Sequence, residues 1–354
     1  MSRPRSDRPT VSRAVSSLGV MLAVSVALGV VVAGLAVPFV GLAGMATRTA
    51  AESMDELPTE LENVPLAQKT TMLDSRGNVI ATLYDENRVN VELGDISRTM
   101  VEAMVAIEDY RFYQHGALDV RGTLRALVTN SASDSVQQGG SSITQQLVKL
   151  SLLNAAETRA EERAATEQTY ARKLRELRYA VALEQQHSKD WILERYLNTA
   201  YFGDGAYGIQ AAAKHFFDVN ASELDLRQSA MLAGLVQNPS AYDPTNAPER
   251  ALERRNVVLD RMAELEVIKP RTAKKVKDLD LGLDVQQAQR GCLYSAAPFF
   301  CDFATSYLLA DPSLGETREE RQQLIQAGGL TIKTTVDLRF QQAATESVQS
   351  QVFP

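Results

Sequence analysis

The longest apolar run of the chain lies near its start, where no charged residue occurs between positions 14 and 47. Because a bilayer core needs roughly 20 apolar residues, this run predicts a membrane helix over residues 17–46. Four arginines against one aspartate precede the run, which places residues 1–16 in the cytoplasm and the rest of the chain outside. A cleaved signal peptide is the alternative, since Gly-Met-Ala at 44–46 is a small-x-small sequence, but the run is about twice as long as a usual signal core.

The acidic segment that follows, residues 47–65, has no periodicity and predicts a stalk. Within residues 66–95 the pattern changes, because positions 70–84 alternate apolar and polar residues around the turn signal Asp-Ser-Arg-Gly at 74–77. This predicts a β-hairpin linker. Residues 330–335 alternate in the same way, and since an isolated hairpin is barely stable, we expect this late segment to pair with it as a strand.

From residue 96 to 262 nearly all apolar spacings are helical, with turn signals at glycines 139–140, at 203–208 and at Asn-Pro 238–239. This pattern predicts a mainly α domain over residues 96–290. No internal repeat interrupts it.

Two cysteines stand close together after this domain, in the sequence CLYSAAPFFC that joins Cys292 to Cys301. In a chain segment outside the cytoplasm, a disulfide explains such a pair better than metal ligands do. Two buried free thiols are the alternative. We therefore expect a disulfide-containing connector over residues 291–327, followed by a new region that begins at residue 328 and runs to 354.

The composition of the chain argues against two kinds of function, the non-specific binding of nucleic acid and the use of a clustered zinc site. The chain has 354 residues, of which 45% are hydrophobic and 23% charged, as in ordinary globular domains. The formal net charge of -7 argues against non-specific binding of nucleic acid. Three scattered histidines and two cysteines cannot form a clustered zinc site, so any metal should be a hard, oxygen-bound cation.

The first candidate for chemistry is a pair of acids, Glu108 and Asp109, at the end of an apolar helical run that includes Met100 and Met104. Such a run should bury itself and deliver Glu108 to the edge of a core. A carboxyl group that is half out of water has a raised pKa, which suits it to accept a proton from a hydroxyl. The alternative interpretation is a solvated acidic pair at a helix end.

The second candidate is GGSSITQQLVK, residues 139–149, which indicates a loop that runs into a helix. Ser142 and Gln145 have the spacing of a capping box. Free N–H groups at a helix start favour an anion such as phosphate, and Gln145, Gln146 and Lys149 could contact sugar hydroxyls and phosphate oxygens from the first turns. An ordinary helix cap without a ligand is the alternative.

The third candidate lies in the helical segment 171–198, where Arg172 and Lys173 flank the carboxylate of Glu176 at helical spacing. The alternative is a salt-bridged helix face. The buried stripe of this helix is expected to consist of Leu174, Leu177 and Val181.

In this order, these stretches resemble the glycosyltransferase domain of the class A penicillin-binding proteins, the family 51 peptidoglycan glycosyltransferases. The pattern EDxxFxxHxG matches at Glu108, Asp109, Phe112 and His115, with Ala117 in place of the glycine. The pattern GxSTxTQQ matches at Gly139, Ser141, Ser142, Thr144, Gln145 and Gln146, with serine for threonine at 142. The pattern RKxxE matches at Arg172, Lys173 and Glu176, and Leu150 stands where the family has asparagine.

The resemblance implies a lysozyme-like helical glycosyltransferase domain behind a transmembrane helix, with a small β linker element. It implies polymerisation of lipid II into β-1,4-linked glycan with release of undecaprenyl pyrophosphate and inversion at the donor carbon. Glu108 would be the base, and Glu176, with a divalent cation (Mg²⁺ or Mn²⁺) or directly, would act on the pyrophosphate with Lys149, Arg172 and Lys173. The other expected substrate-binding residues are Asp109, Phe112, His115, Ser141, Ser142, Thr144, Gln145 and Gln146.

Other implications concern location and partners. The catalytic domain is expected outside the plasma membrane, with lipid II, the growing glycan, the membrane and other cell-wall or division proteins as partners, and no nucleic acid. Residues 328–354 look like the entrance to a transpeptidase region, but no SxxK or KTG occurs in the chain. A lytic muramidase, which would not need the cationic residues, and a non-catalytic cell-wall scaffold are the alternative functions.

Overall fold

The computed structural model describes residues 66–119, 141–156, 158–167, 169–287 and 289–352, together with the isolated positions Met21 and Ser25. In these ranges we find no helix both long enough and apolar enough to cross a bilayer. The predicted membrane helix of residues 17–46 lies outside them apart from those two positions, as do the predicted tail, the stalk and the glycine pair at 139–140.

Helices dominate the described residues, as the apolar spacings predict. In chain order they are α1 Arg98–Glu108, α2 Ile143–Asn154, α3 Arg159–Thr166, α4 Tyr170–Gln186, α5 Lys189–Thr199, α6 Ile209–Phe217, α7 Leu226–Leu235, α8 Pro248–Glu264, α9 Pro270–Lys277, α10 Pro298–Ala310, α11 Arg318–Ala327 and α12 Leu338–Val352.

Hydroxyl side chains determine where the motif-bearing helices begin. The side chains of Ser142, Thr169 and Ser188 each accept the backbone N–H three residues ahead, at 3.2 Å, at the starts of α2, α4 and α5. Each such cap satisfies an N–H group that has no partner within the helix. Only this half of the predicted capping box is present at α2, and the Gln145 side chain donates from Nε2 to Ala117 O.

The larger hydrophobic core lies among the helices that carry the motifs. Within it α1 packs against α7 and α8, and α2 packs against α4 and α5. Met100 and Met104 of α1 are fully buried, which confirms the expected burial of this helix. The C-terminal end of α1, with its two acids, is therefore held at the edge of a packed core.

The predicted buried stripe of α4 is wrong. Leu174 and Val181 are 38% and 41% exposed, whereas Tyr179, Ala180 and Leu183 are buried. The buried face also carries Arg172 and Glu176, which are 7% and 1% exposed. Burying this charged pair is tolerable because each group neutralises the other, so the pair can share the buried face with Tyr179, Ala180 and Leu183.

A three-stranded sheet lies outside the helical core. Strands β1 Thr70–Leu73 and β2 Val79–Leu83 form the predicted antiparallel hairpin. Strand β3 Thr331–Lys333 pairs in parallel with β1, which confirms the predicted pairing of this late segment with the hairpin.

A second, smaller core covers this sheet. Met72, Ile80 and Leu83 pack there with Cys301 of α10 and with Ile325 of α11. A disulfide joins Cys301 to Cys292, nine residues earlier in the chain. Closing so short a loop stabilises a fold by about 2 to 3 kcal/mol in the chain-entropy model.

A close backbone contact at Gly208 generates a stability prediction. Its φ is +75°, and a Cβ there would lie 2.7 Å from Asn198 O of α5, whereas Gly205, with a φ of +74°, has open space around it. Gly205→Ala should cost only the left-handed strain of about 1–2 kcal/mol. Gly208→Ala should lower the free energy of unfolding by clearly more, as measured by urea denaturation, and equal losses in the two variants would contradict the contact.

Candidate active site

Glu108 is the last residue of α1 and, taken as a whole residue, is half-buried. The Gln146 amide of α2 donates a hydrogen bond from Nε2 to Glu108 Oε2 at 2.7 Å. Burial raises the pKa of Glu108, while this hydrogen bond and the nearby Arg254 guanidinium of α8 oppose the rise, and the charge of Asp109 adds to it. The pKa of Glu108 is thus raised, as the sequence predicts.

Asp109 connects three segments of the site. It is buried, and its Oδ1 lies 2.7 Å from His115 Nε2. Its Oδ2 accepts the Ile143 backbone N–H, at the first residue of α2, at 3.2 Å. A carboxylate bound to a helix start also interacts favourably with the helix dipole. Asp109 therefore holds the end of α1, the 112–115 turn and the start of α2 together.

Four of the predicted substrate-binding side chains make protein contacts instead of facing outward. Phe112 and Thr144 are fully buried, and Thr144 Oγ1 donates to Glu184 Oε1 at 2.5 Å. Ser142 Oγ and Gln145 Nε2 both donate to Ala117 O, at 3.1 and 3.2 Å. Ser142 and Gln145 thus fix α2 against the 112–117 segment, and Thr144 fixes α2 against α4.

The cationic side of the site surrounds Glu176, which is 1% exposed. Arg172 donates to Glu176 Oε1, and Lys173 Nζ lies 2.9 Å from Glu176 Oε2. Lys173 Nζ also donates to Ser141 Oγ at 2.9 Å, so the second and third motifs meet at this point. Lys149 is exposed on α2. The structure thus leaves positive charge accessible at Lys149 and at the half-exposed Lys173.

The residues around Glu176 do not fit a divalent cation in this arrangement. Both of its oxygens already face cations, and a third positive charge would be repelled. Asp109, His115 and Asp119 bring ligand atoms within 4.8 Å of one another, but Arg111 pairs with Asp119, and we assign no ion there. The cation expected from the resemblance stays a prediction, and no step below passes through it.

Sequence reasoning missed two residues that contact or approach the base network. Tyr196 of α5 donates from its hydroxyl to Gln146 Oε1 at 3.0 Å, and Arg254 places its charge near Glu108. No local spacing in the sequence indicates that α5 and α8 approach the end of α1. Only the tertiary packing of these helices brings the residues to the site.

A family model described as Transglycosylase matches residues 76–263, more than half of the chain. The match includes every residue assigned above to the base and to the cationic side. The chain belongs to this transglycosylase family.

Several relatives with a curated description are penicillin-binding proteins. Penicillin-binding protein 1F of Bacillus subtilis (strain 168) is 34% identical over 79% of this chain and 36% of its own length. Penicillin-binding protein 1A of Neisseria lactamica is 35% identical over 89% of this chain and 36% of its own. The chain thus spans about a third of the length of these relatives.

Among solved structures, a penicillin-binding protein 1A aligns with this chain. The 2.6 Å crystal structure of penicillin-binding protein 1A from Haemophilus influenzae aligns with 81% of this chain and 30% of its own, at 19% identity and a TM-score of 0.43.

The raised pKa of Glu108 generates a prediction about stability. Between the ordinary glutamate pKa and the raised one, the folded chain binds more protons than the unfolded chain, so the contribution of Glu108 to stability falls as pH rises. Glu108→Gln removes this contribution. The free energy of unfolding of the variant, relative to the wild type, should therefore increase with pH through that window and then level off.

Denaturant unfolding at a series of pH values checks this prediction. Asp109→Asn is a second variant for comparison: it loses an acceptor for His115 or for the Ile143 N–H and should destabilise the fold by about 1–3 kcal/mol, and it also removes a charge that acts on Glu108. A stability difference between Glu108→Gln and the wild type that does not change with pH would contradict the burial of a titrating carboxylate.

Proposed function

We propose that this chain is a membrane-anchored peptidoglycan glycosyltransferase, which polymerises lipid II into β-1,4-linked glycan and releases undecaprenyl pyrophosphate. The observation that carries the proposal is a half-buried glutamate of raised pKa at one helix end, together with a cluster of cations on neighbouring helices. Membership of the transglycosylase family supports the reaction class. The apolar run at 17–46 supports an anchor with the catalytic domain outside the membrane.

Glu108 takes the acceptor proton in this proposal. The Gln146 amide occupies Oε2, so we assign Oε1 to the 4-hydroxyl of the acceptor sugar. As the hydroxyl oxygen bonds to the donor C1, its proton passes to Oε1 and the bond from C1 to the pyrophosphate oxygen breaks. Because an α-linked donor becomes a β-linked product, the acceptor attacks from the face opposite the leaving group.

The cationic side stabilises the departing pyrophosphate. Lys149 is exposed, and the Lys173 side chain is 48% exposed, so both can contact phosphate oxygens. Glu176 orients Lys173 and Arg172 by pairing with both, which holds them in place before the substrate binds. Preorganised charges of this kind act where negative charge develops in the transition state.

A cell-free assay with lipid II separates this function from its alternatives. Longer glycan is the expected product. A lytic muramidase would instead shorten preformed glycan, and a non-catalytic scaffold would leave lipid II unchanged.

Glu108→Gln is the sharpest variant for this function. It keeps the size of the side chain and an acceptor for Gln146 but removes the basic carboxylate. Since a positioned base contributes about 100- to 10,000-fold, lipid II consumption should fall by that range or more. Glu102→Gln on the same helix is the matched control, because among the described residues Glu102 pairs with the exposed Arg98 alone, and the variant should leave turnover near normal.

Thermal unfolding of both variants shows whether the fold is intact. Near-normal turnover in a well-folded Glu108→Gln protein would overturn Glu108 as the base and make Glu176 the next residue to test.

A further inference from the structure

Three helices contribute to one series of hydrogen bonds that ends at Glu108. Tyr196 of α5 is fully buried, and its hydroxyl lies 3.0 Å from Gln146 Oε1 of α2. Gln146 Nε2 in turn lies 2.7 Å from Glu108 Oε2 at the end of α1. Tyr196 has no access to solvent or substrate, so any effect that it has on the reaction must pass through Gln146.

The chemistry of the Gln146 amide decides which group donates and which accepts in this series of hydrogen bonds. A glutamine side chain has an acceptor at its oxygen and donors at its nitrogen, and rotation by half a turn exchanges them. In the observed orientation, the oxygen accepts from the Tyr196 hydroxyl and the nitrogen donates to the carboxylate. The reverse orientation would place the amide oxygen against the Glu108 oxygens, which only accept when the carboxylate is ionised, and the Tyr196 hydroxyl would have to accept from the amide nitrogen instead of donating to the amide oxygen.

Tyr196 is suited to remain the donor. Burial raises the pKa of the Tyr196 hydroxyl well above its ordinary value, and the nearby charge of Glu108 adds to the rise, so the proton stays on the hydroxyl across the working pH range. Buried hydrogen-bond networks in which every member is satisfied keep a single geometry.

We propose that Tyr196 is a positioning residue for the catalytic base: its hydroxyl fixes the orientation of the Gln146 amide, which then donates to Glu108 Oε2 and leaves Oε1 for the acceptor hydroxyl. The inference deepens the proposed function and rests on it for the role of Glu108 in catalysis. The hydrogen-bond geometry itself is independent of the reaction.

Other charged groups also act on Glu108 and must be separated from this effect. The Arg254 guanidinium of α8 favours the ionised carboxylate, whereas Asp109, the next residue, disfavours it. Neither group forms a hydrogen bond with Gln146 or Tyr196 among those that the structure describes. Tyr196→Phe and Gln146→Met therefore change the amide contact and leave both charges in place.

The test measures the titration of Glu108 directly and does not depend on turnover. The full chain is labelled with ¹³C at the glutamate carboxyl carbons, and Glu108→Gln identifies the Glu108 signal. In Tyr196→Phe the amide oxygen of Gln146 loses the hydroxyl that holds it, the amide nitrogen is held less firmly against the carboxylate, and Glu108 should titrate at higher pH than in the wild type. Gln146→Met should shift it in the same direction.

The double variant Tyr196→Phe/Gln146→Met gives the decisive comparison, because Tyr196 acts only through Gln146 in this inference. Glu108 should titrate in the double variant as it does in Gln146→Met alone. Tyr84→Phe, a buried tyrosine at the end of β2, is the control and should leave the Glu108 titration unchanged.

Lipid II polymerisation links the titration to catalysis. Because a higher pKa of Glu108 leaves less of the ionised base at low pH, each pH unit by which its titration moves up should slow turnover of Tyr196→Phe about tenfold on the acid side of the pH profile, and less at alkaline pH.

Each outcome decides the inference. An unshifted Glu108 in Tyr196→Phe, or a further shift in the double variant beyond Gln146→Met, would overturn it. If Tyr196→Phe does not fold, an unshifted Glu108 in Gln146→Met overturns it alone. If the titrations shift as expected but the wild type does not polymerise lipid II, the positioning of Glu108 stands and the proposed function fails.

Discussion

The two oxygens of the Asp109 carboxylate bind the His115 imidazole at 2.7 Å and the Ile143 N–H at 3.2 Å, and so hold the end of α1 on the start of α2. The other contacts of Glu108 depend on this connection. Glu108 can meet the Gln146 amide only if these two helix ends keep their relative position. A buried carboxylate with two strong partners is well suited to maintain it, because losing either partner would leave a buried charge unsatisfied.

The sequence was sufficient to predict those features of the fold and of the site that depend on periodicity, on turn chemistry or on the resemblance. The burial of Met100 and Met104 follows from helical spacing, and the pairing of β3 with the hairpin follows from the instability of an isolated hairpin. The raised pKa of Glu108 follows from the position of a carboxyl group at the end of a buried helix. Each of these inferences rests on interactions within one element or on a simple requirement for burial.

The sequence was insufficient where several elements compete for one side chain. Hydrophobicity favoured Leu174 and Val181 as the buried face of α4, but the ion pair of Arg172 with Glu176 occupies that face. The amide of Gln146 was expected at the substrate, but in the structure it contacts the base and a tyrosine some 50 positions away. Such partners are set by tertiary packing, which local spacing does not report.

The pH dependence of lipid II polymerisation by the wild-type chain tests most directly whether a half-buried glutamate is the base. The profile of kcat/KM reports the ionisations of the free enzyme. Because burial raises the pKa of Glu108, activity should be lost on the acid side with an apparent pKa above the ordinary glutamate value of about 4.3. An acid limb at or below that value, or the same limb in the residual activity of Glu108→Gln, would contradict the account.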